Sequence, residues 1–238
     1  MTLLQPRRTA ATRAPATTFG LGGGEPYARA LRHGAAGASG RLVLHEVGPS
    51  GSSPRVVMDF EKWNASADDV DRALLENARG PVLDIGCGPA RMVKAADELG
   101  LAALGVDASP EAVSHARASG LTVIEASVFD ALPGEGLWQT ALLVDGNVGI
   151  GGDIGALLER CARLLSPGGE LIVELDVDDL CDRSYTATLI DGDGARSDSF
   201  PWAETGLDHL LDLADRAGLT PVAVWSAGER RFCRLERA

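Results

Sequence analysis

From Pro81 onward the chain repeats one pattern: a short, mostly apolar run, a turn marked by glycine or a helix cap, then apolar residues three and four apart. Val82, Leu83 and Ile85 begin it, with Asp84 the one charge in that run. Continuous apolar runs suit strands buried on both faces, as in a parallel sheet. Further runs follow at LAALGVD (101–107), LTVIEA (121–126), TALLVD (140–145), ELIVELD (170–176), TPVAVW (220–225) and RRFCRLER (230–237). Between them the spacing predicts a helix from Pro89 to Leu99 and another opened by Ser109, Pro110 and Glu111, with proline just inside a serine cap. A third places Ile154, Leu157, Leu158, Cys161, Leu164 and Leu165 on one stripe, with Asp153 as its cap, and SPGG (166–169) stops it. A fourth runs from Thr205 to Ala217. Strand and helix in alternation predict an α/β fold, doubly wound, with helices on both faces of a mostly parallel sheet.

The first third of the chain reads differently. Residues 1–24 hold Thr, Ala, Gly and Arg without a sustained apolar period and are expected to form a disordered tail. Residues 25–78 form an extension: a helix over Glu25 to His33, a hairpin of RLVLHEV and RVVMDF around a Gly/Ser/Pro loop, and a helix carrying Val70, Ala73, Leu74 and Ala78 inward. Ser66 with Asp69 is the expected capping box of that helix. Residues 79–238 would then be the core.

The run PVLDIGCGPAR (81–91) carries the chemistry. Gly86 and Gly88 let backbone approach a ligand where a side chain would block it. A carboxylate at the end of a buried strand is costly without a cationic or donor-rich partner, so Asp84 points to a ligand bearing an ammonium group. A dinucleotide fingerprint needs glycines at G-x-G-x-x-G, and Arg91 stands where the third belongs. The pattern D-x-G-x-G-x-A instead resembles motif I of the class I S-adenosylmethionine-dependent methyltransferases, with Ala90 where that family usually has glycine. Asp107, ending the next strand, resembles the acidic residue of motif II, and the Pro-Gly-Gly turn before the fifth strand is a further resemblance.

The resemblance covers about Ala78 to Ala238 and implies a seven-stranded sheet with an antiparallel last strand. It implies S-adenosylmethionine as cofactor and S-adenosylhomocysteine as product. Asp84, Gly86, Cys87 and Gly88 would hold the amino-acid part of the cofactor, and Asp107 with Ala108 the ribose. Ser127, Val128 and Phe129 would flank the adenine, with Asp130 accepting from its amino group. Asp145 and Asn147 would lie beside the transferred methyl, Asp145 orienting the substrate or accepting a proton and Asn147 positioning it. His209 is a candidate base. Tyr27 and Trp63 would cover the cofactor or pack in the core. The segment after the fourth strand does not match the Asn-Pro-Pro-Tyr type motif, which leaves an oxygen, amine or carbon nucleophile as acceptor.

Composition narrows the partners. The 238 residues carry a net charge of −12, and nucleic-acid binding rests on lysine and arginine neutralising phosphates, so a small-molecule acceptor is expected and a nucleic acid is not. Cys87, Cys161, Cys181 and Cys233 lack C-x-x-C spacing and read as reduced thiols of a cytoplasmic protein. No apolar run is long enough to span a bilayer and no secretory segment is evident, so no membrane partner is expected. His33, His45, His115 and His209 lack metal-ligand spacing. Glu174, Asp176, Asp178 and Asp179 invite magnesium, but nothing fixes a coordination geometry and no metal is assigned. Oligomeric state is not legible. Two rivals remain: a protein that binds S-adenosylmethionine without transferring methyl, either a cyclase or a sensor, and a nicotinamide-dependent oxidoreductase.

Overall fold

The computed structural model describes residues 19, 26–34, 42–49, 51–58 and 60–238. The expected tail lies outside the described residues, Phe19 apart. The elements are α1 (Pro26–Gly34), β1 (Leu42–Gly48), β2 (Gly51–Met58), α2 (Phe60–Asn64), α3 (Asp69–Glu76), β3 (Val82–Ile85), α4 (Arg91–Glu98), β4 (Ala103–Asp107), α5 (Pro110–Ala118) and β5 (Val123–Glu125). There follow β6 (Trp138–Leu143), a single 3₁₀ turn (Asn147–Gly149), α6 (Ile154–Leu164), β7 (Leu165–Leu175), β8 (Asp182–Asp191), β9 (Phe200–Thr205), α7 (Leu207–Arg216), β10 (Leu219–Ala227) and β11 (Arg230–Arg237).

Seven strands form the main sheet in the order β10-β11-β7-β6-β3-β4-β5. Neighbours from β7 to β5 pair in parallel, while β11 runs antiparallel to both β7 and β10. The expected doubly wound sheet with a reversed last strand is therefore present. Side chains alternate between its faces because the strand repeat is two residues. Leu83, Ile85, Leu143 and Val173 meet Leu157, Leu158 and Cys161 of α6 and Leu210 of α7 on one face. Val82, Leu142 and Ile172 meet Leu74 and Leu75 of α3 and Met92 and Ala96 of α4 on the other. Both faces are dry, which is why these strands read as apolar runs.

A second, four-stranded antiparallel sheet was not foreseen. Its order is β2-β1-β8-β9, so the expected hairpin extends a sheet completed by residues 182–205. The division at residue 78 thus separates the chain but not the sheets. No turn signal betrays this pairing, because β1 and β8 lie far apart in sequence and pair through Leu42↔Asp191 to Glu46↔Ala187. Leu42, Leu44, Ala187, Leu189, Phe200 and Trp202 bury one face of this sheet against Tyr27, Ala30 and Leu31 of α1.

Local chemistry moves several boundaries. The capping box of α3 is Asp68 with Asp71, not Ser66 with Asp69: Asp71 N donates to Asp68 Oδ1 at 2.8 Å. Helix α4 begins at Arg91, two residues later than expected, because Ala90 takes a left-handed conformation at φ 69°. Strand β7 starts at Leu165, so SPGG lies within it, and an irregularity between Trp138 and Thr140 absorbs the extra residues. Asp153 and Ser109 cap their helices as expected, accepting from Ala156 N and Ala112 N.

Gly149 is where the 3₁₀ turn after β6 packs against β9 of the second sheet. A side chain there would overlap the carbonyl oxygen of Ala203 in β9 and lie 2.8 Å from the Trp202 indole. Gly149→Ala is therefore expected to cost about 1–3 kcal/mol, the usual range for overpacking. Urea denaturation measures it, and unchanged stability would show that the turn and β9 are not tightly packed at this point.

Candidate active site

The loop after β3 turns through Gly86 (φ 72°) and Gly88 (φ 53°) before Ala90. Alanine in the left-handed region costs about 1 kcal/mol, which accounts for the family's usual glycine at this position. Asn147 Nδ2 donates to the carbonyls of Ile85 at 2.8 Å and Gly86 at 3.0 Å. It latches the turn from the far side. At the end of β4, Asp107 accepts from Gly88 N through Oδ2 and from Ser109 N through Oδ1, both at 2.8 Å. These bonds fix the carboxylate while leaving lone pairs turned to the cleft.

Of the residues expected at the site, Gly86, Cys87, Gly88, Asp107, Ala108, Ser127, Val128, Asp145 and Asn147 line one cleft. Tyr27 and Trp63 from the extension also line it, as does Trp202 of β9. Tyr27 is 2% exposed, so covering the cleft and packing in the core are one role rather than alternatives. Burial raises the Tyr27 phenol and the Cys87 thiol well above their usual values, and both stay protonated.

Three expected residues, Phe129, Asp130 and His209, lie outside the cleft lining. Phe129 is 45% exposed and its ring edge packs toward Gly151, outside the cleft. Asp130 accepts from Ser127 N at 2.9 Å, closing its own turn rather than facing a base. His209 sits on α7 with Nε2 3.2 Å from Asp182, outside the residues that line either chamber. Asp84 is 2% exposed and lies beneath the turn, behind the residues that line the cleft.

A second chamber adjoins the first. Met58, Trp63, Asp145 and Trp202 belong to both, and beyond them the second chamber is lined by Arg55 and Lys62, by Glu174 and Asp176 at the end of β7, and by Glu204. It lies between the two sheets, at the carboxyl end of the parallel strands, where α/β folds place their ligands. The antiparallel sheet, invisible in the sequence pattern, is one of its walls.

Asp145 stands at the junction in a left-handed conformation (φ 55°). Its backbone N donates to Glu174 Oε2 at 2.6 Å, Arg91 Nη1 reaches its Oδ2 at 2.6 Å, and Lys62 Nζ its Oδ1 at 3.0 Å. Arg91 also binds Asp71, and Arg230 binds both Asp71 and Glu174. Burial opposes ionisation of Asp145, but Arg91 and Lys62 prevail and hold its carboxyl below the ordinary value. A carboxylate so held orients a ligand well and accepts a proton poorly.

Arg91, Lys62, Asp71, Arg230, Met58 and Trp202 were not singled out as site residues. Arg91 stands out in the sequence only as a mismatch to the dinucleotide pattern, although a basic residue beside the apolar pair Met92 and Val93 at a helix start is a usable signal. The rest come from five separate elements, and no local pattern joins them. The acidic run after β7 diverges rather than gathers: Glu174 pairs with Arg230, Asp179 with Arg231, and only Asp176 approaches Cys181 and Glu204. Glu204 already accepts from Tyr185 Oη at 2.6 Å and Arg55 at 2.9 Å.

These residues fit an adenosyl amino-acid ligand. Asp107 presents a rigid acceptor for a pair of hydroxyls, the glycine backbone lies open, and Ala126, Ser127 and Val128 form an edge beside Asp107. Beneath the turn, Asp84 Oδ2 is buried without a hydrogen-bond partner, an acceptor unmatched by the protein itself.

Comparison with known proteins agrees. Residues 82–169 match a family described as a methyltransferase domain. Over 97 residues the chain is 33% identical to a ubiquinone biosynthesis O-methyltransferase of Chelativorans sp., a match covering 39% of this chain and 38% of that relative. The chain thus spans well under half of that curated relative. A Bacteroides fragilis S-adenosylmethionine-dependent methyltransferase, solved with S-adenosylhomocysteine, superposes with TM-score 0.73 at 20% identity, over 93% of this chain and 98% of that one. A Burkholderia thailandensis 1,6-didemethyltoxoflavin-N1-methyltransferase superposes with TM-score 0.53 at 21% identity, over 71% and 77%. The glycine turn and the fixed Asp107 thus lie within a matched methyltransferase domain, and the chain shares the fold of S-adenosylmethionine-dependent methyltransferases.

Proposed function

We propose that the protein moves the methyl group of S-adenosylmethionine to a small-molecule acceptor held in the second chamber. The observation that carries this reading is the shared wall: Met58, Trp63, Asp145 and Trp202 face both chambers, so a donor in one and an acceptor in the other meet there. The cofactor supplies a methyl group on a sulfonium, open to in-line attack. The protein's part is to align the two ligands and keep water out. Asp107 binds hydroxyls, the Gly86–Gly88 backbone admits the ligand closely, and Trp63 and Trp202 supply apolar walls at the junction. Asp145, already ionised and clamped, orients the acceptor. Tyr27 and Cys87 hold their own protons, so neither takes a proton from the acceptor.

The net charge of −12 supports a small molecule over a nucleic acid. Four buried, unpaired thiols suit the cytoplasm. Among the described residues no helix is long and apolar enough to cross a membrane.

Calorimetric titration with S-adenosylhomocysteine and with NAD is the first test. Micromolar binding of the former alone is expected, followed by transfer of labelled methyl from S-adenosylmethionine to a member of a panel of small amines, phenols and carbon acids. Preference for NAD would overturn the reading, and tight binding with turnover but no label transfer would favour the cyclase.

A further inference from the structure

Asp84 differs in its bonding from the carboxylates around it. Asp71, Asp107, Asp145 and Glu174 each accept at least two hydrogen bonds. Asp84 is 2% exposed, and its Oδ2 accepts none. The charged and titratable groups facing it are Arg91 of α4, Asp71 of α3, Asp107 of β4, Asp145 beyond β6 and Cys87 of the turn itself. Arg91 is the cation among them, and its Nε, Nη1 and Nη2 already donate to Asp71 and Asp145. Three carboxylates and a thiol thus surround a fourth carboxylate whose nearest cation is engaged elsewhere.

The contrast with Asp71 shows what that does. Burial opposes ionisation of both. At Asp71 the bonds and charges of Arg91 and Arg230 win, and the carboxyl falls to about 2. At Asp84 burial wins over Arg91, the neighbouring acids add to it, and the carboxyl rises to about 7. One network therefore holds a fully ionised acid and an acid that keeps its proton near neutrality.

We propose that Asp84 carries a proton in the free protein and gives it up when a cationic cofactor binds over the Gly86–Gly88 turn, so that cofactor binding is linked to proton release. The proposal rests on reading the first cleft as the cofactor's. The O–H bond of the Asp84 carboxyl breaks, its electron pair stays on oxygen, and the proton passes to the buffer. The driving force is the new positive charge beside a buried acid, which favours the acid's charged form. Because a buried carboxylate opposite a cation is better than either alone, affinity rises with pH until Asp84 is ionised in the free protein too. If the ligand binds only the ionised form, affinity is about tenfold lower at pH 6 than at pH 8 and levels off above that.

The test is calorimetric titration of the full chain with S-adenosylhomocysteine, which carries the ammonium, at pH 6, 7 and 8 in buffers of different ionisation heat. Wild-type protein is expected to release about half a proton at pH 7 and to bind about tenfold more weakly at pH 6 than at pH 8. Asp84→Asn, which cannot titrate, is expected to lose both the release and the pH dependence. Equal proton release in wild type and variant, or none in wild type, overturns the proposal while leaving the cofactor site intact. Failure of wild type to bind at all overturns the cofactor reading first and the linkage with it. Carboxyl-carbon NMR of wild-type protein labelled in aspartate needs no variant. A resonance that titrates near pH 7 in the free protein and moves to lower pH with S-adenosylhomocysteine supports the linkage, and an unmoved midpoint sinks it.

Discussion

Replacing Arg91 with methionine should lower the stability of the fold by about 3–5 kcal/mol, the usual cost of breaking a buried ion pair by removing one partner. The residue is 7% exposed and makes three charge-assisted bonds, two to Asp71 and one to Asp145. Methionine fills much of the space, so the loss is electrostatic rather than a cavity. Arg230 still faces Asp71 and Lys62 still faces Asp145, which keeps the cost nearer the lower end. Urea denaturation at pH 7 measures it. The effect has a direction in pH: the Asp71 carboxyl is depressed from 3.8 to about 2. Its stabilising share is therefore complete above about pH 4 and is lost as the pH falls toward 2. Wild type and variant should converge in that acid window. A gap that persists there would mean that Arg91 acts by packing.

The second large effect is on the ligand. Asp107→Ala should weaken S-adenosylhomocysteine binding about a hundredfold, because two hydrogen bonds from ribose hydroxyls to a charged group are worth about 3 kcal/mol together at the low end. Gly88 N and Ser109 N also lose their acceptor, so the turn itself loosens. Asp107→Asn separates the two contributions, since it keeps an acceptor for one backbone N–H while removing the charge, and it should fall between wild type and alanine. Unchanged affinity in the alanine variant would remove Asp107 from the ligand and with it the placement of the ribose.

Particular residues show how far the sequence could be read. The run RRFCRLER, which the family resemblance makes the antiparallel last strand, is β11 at 230–237. The turn from Asp84 to Ala90 announced its glycines, and the left-handed Ala90 shows why alanine there is a departure. Phe129 was read as a wall because it follows the third strand, but position along a loop does not say which way a ring points. His209 was considered because it falls in the region following Trp202. Trp202 reached the site and His209 did not, since strand β9 ends between them and α7 carries the histidine away.

What local sequence determined is the parallel sheet, its helices and the glycine turn, because apolar periodicity, caps and backbone conformation are written within a few residues of where they act. What only the tertiary structure decided is the second sheet and the charge network. Residues 42–58 pair with residues 182–205, and Lys62, Asp71, Arg91, Asp145, Glu174 and Arg230 converge from α2, α3, α4, the loop after β6, β7 and β11. Each of those side chains read alone is an ordinary charged residue. Their ionisation and the shape of the acceptor chamber follow from burial and from mutual distance, and neither exists until the chain has folded.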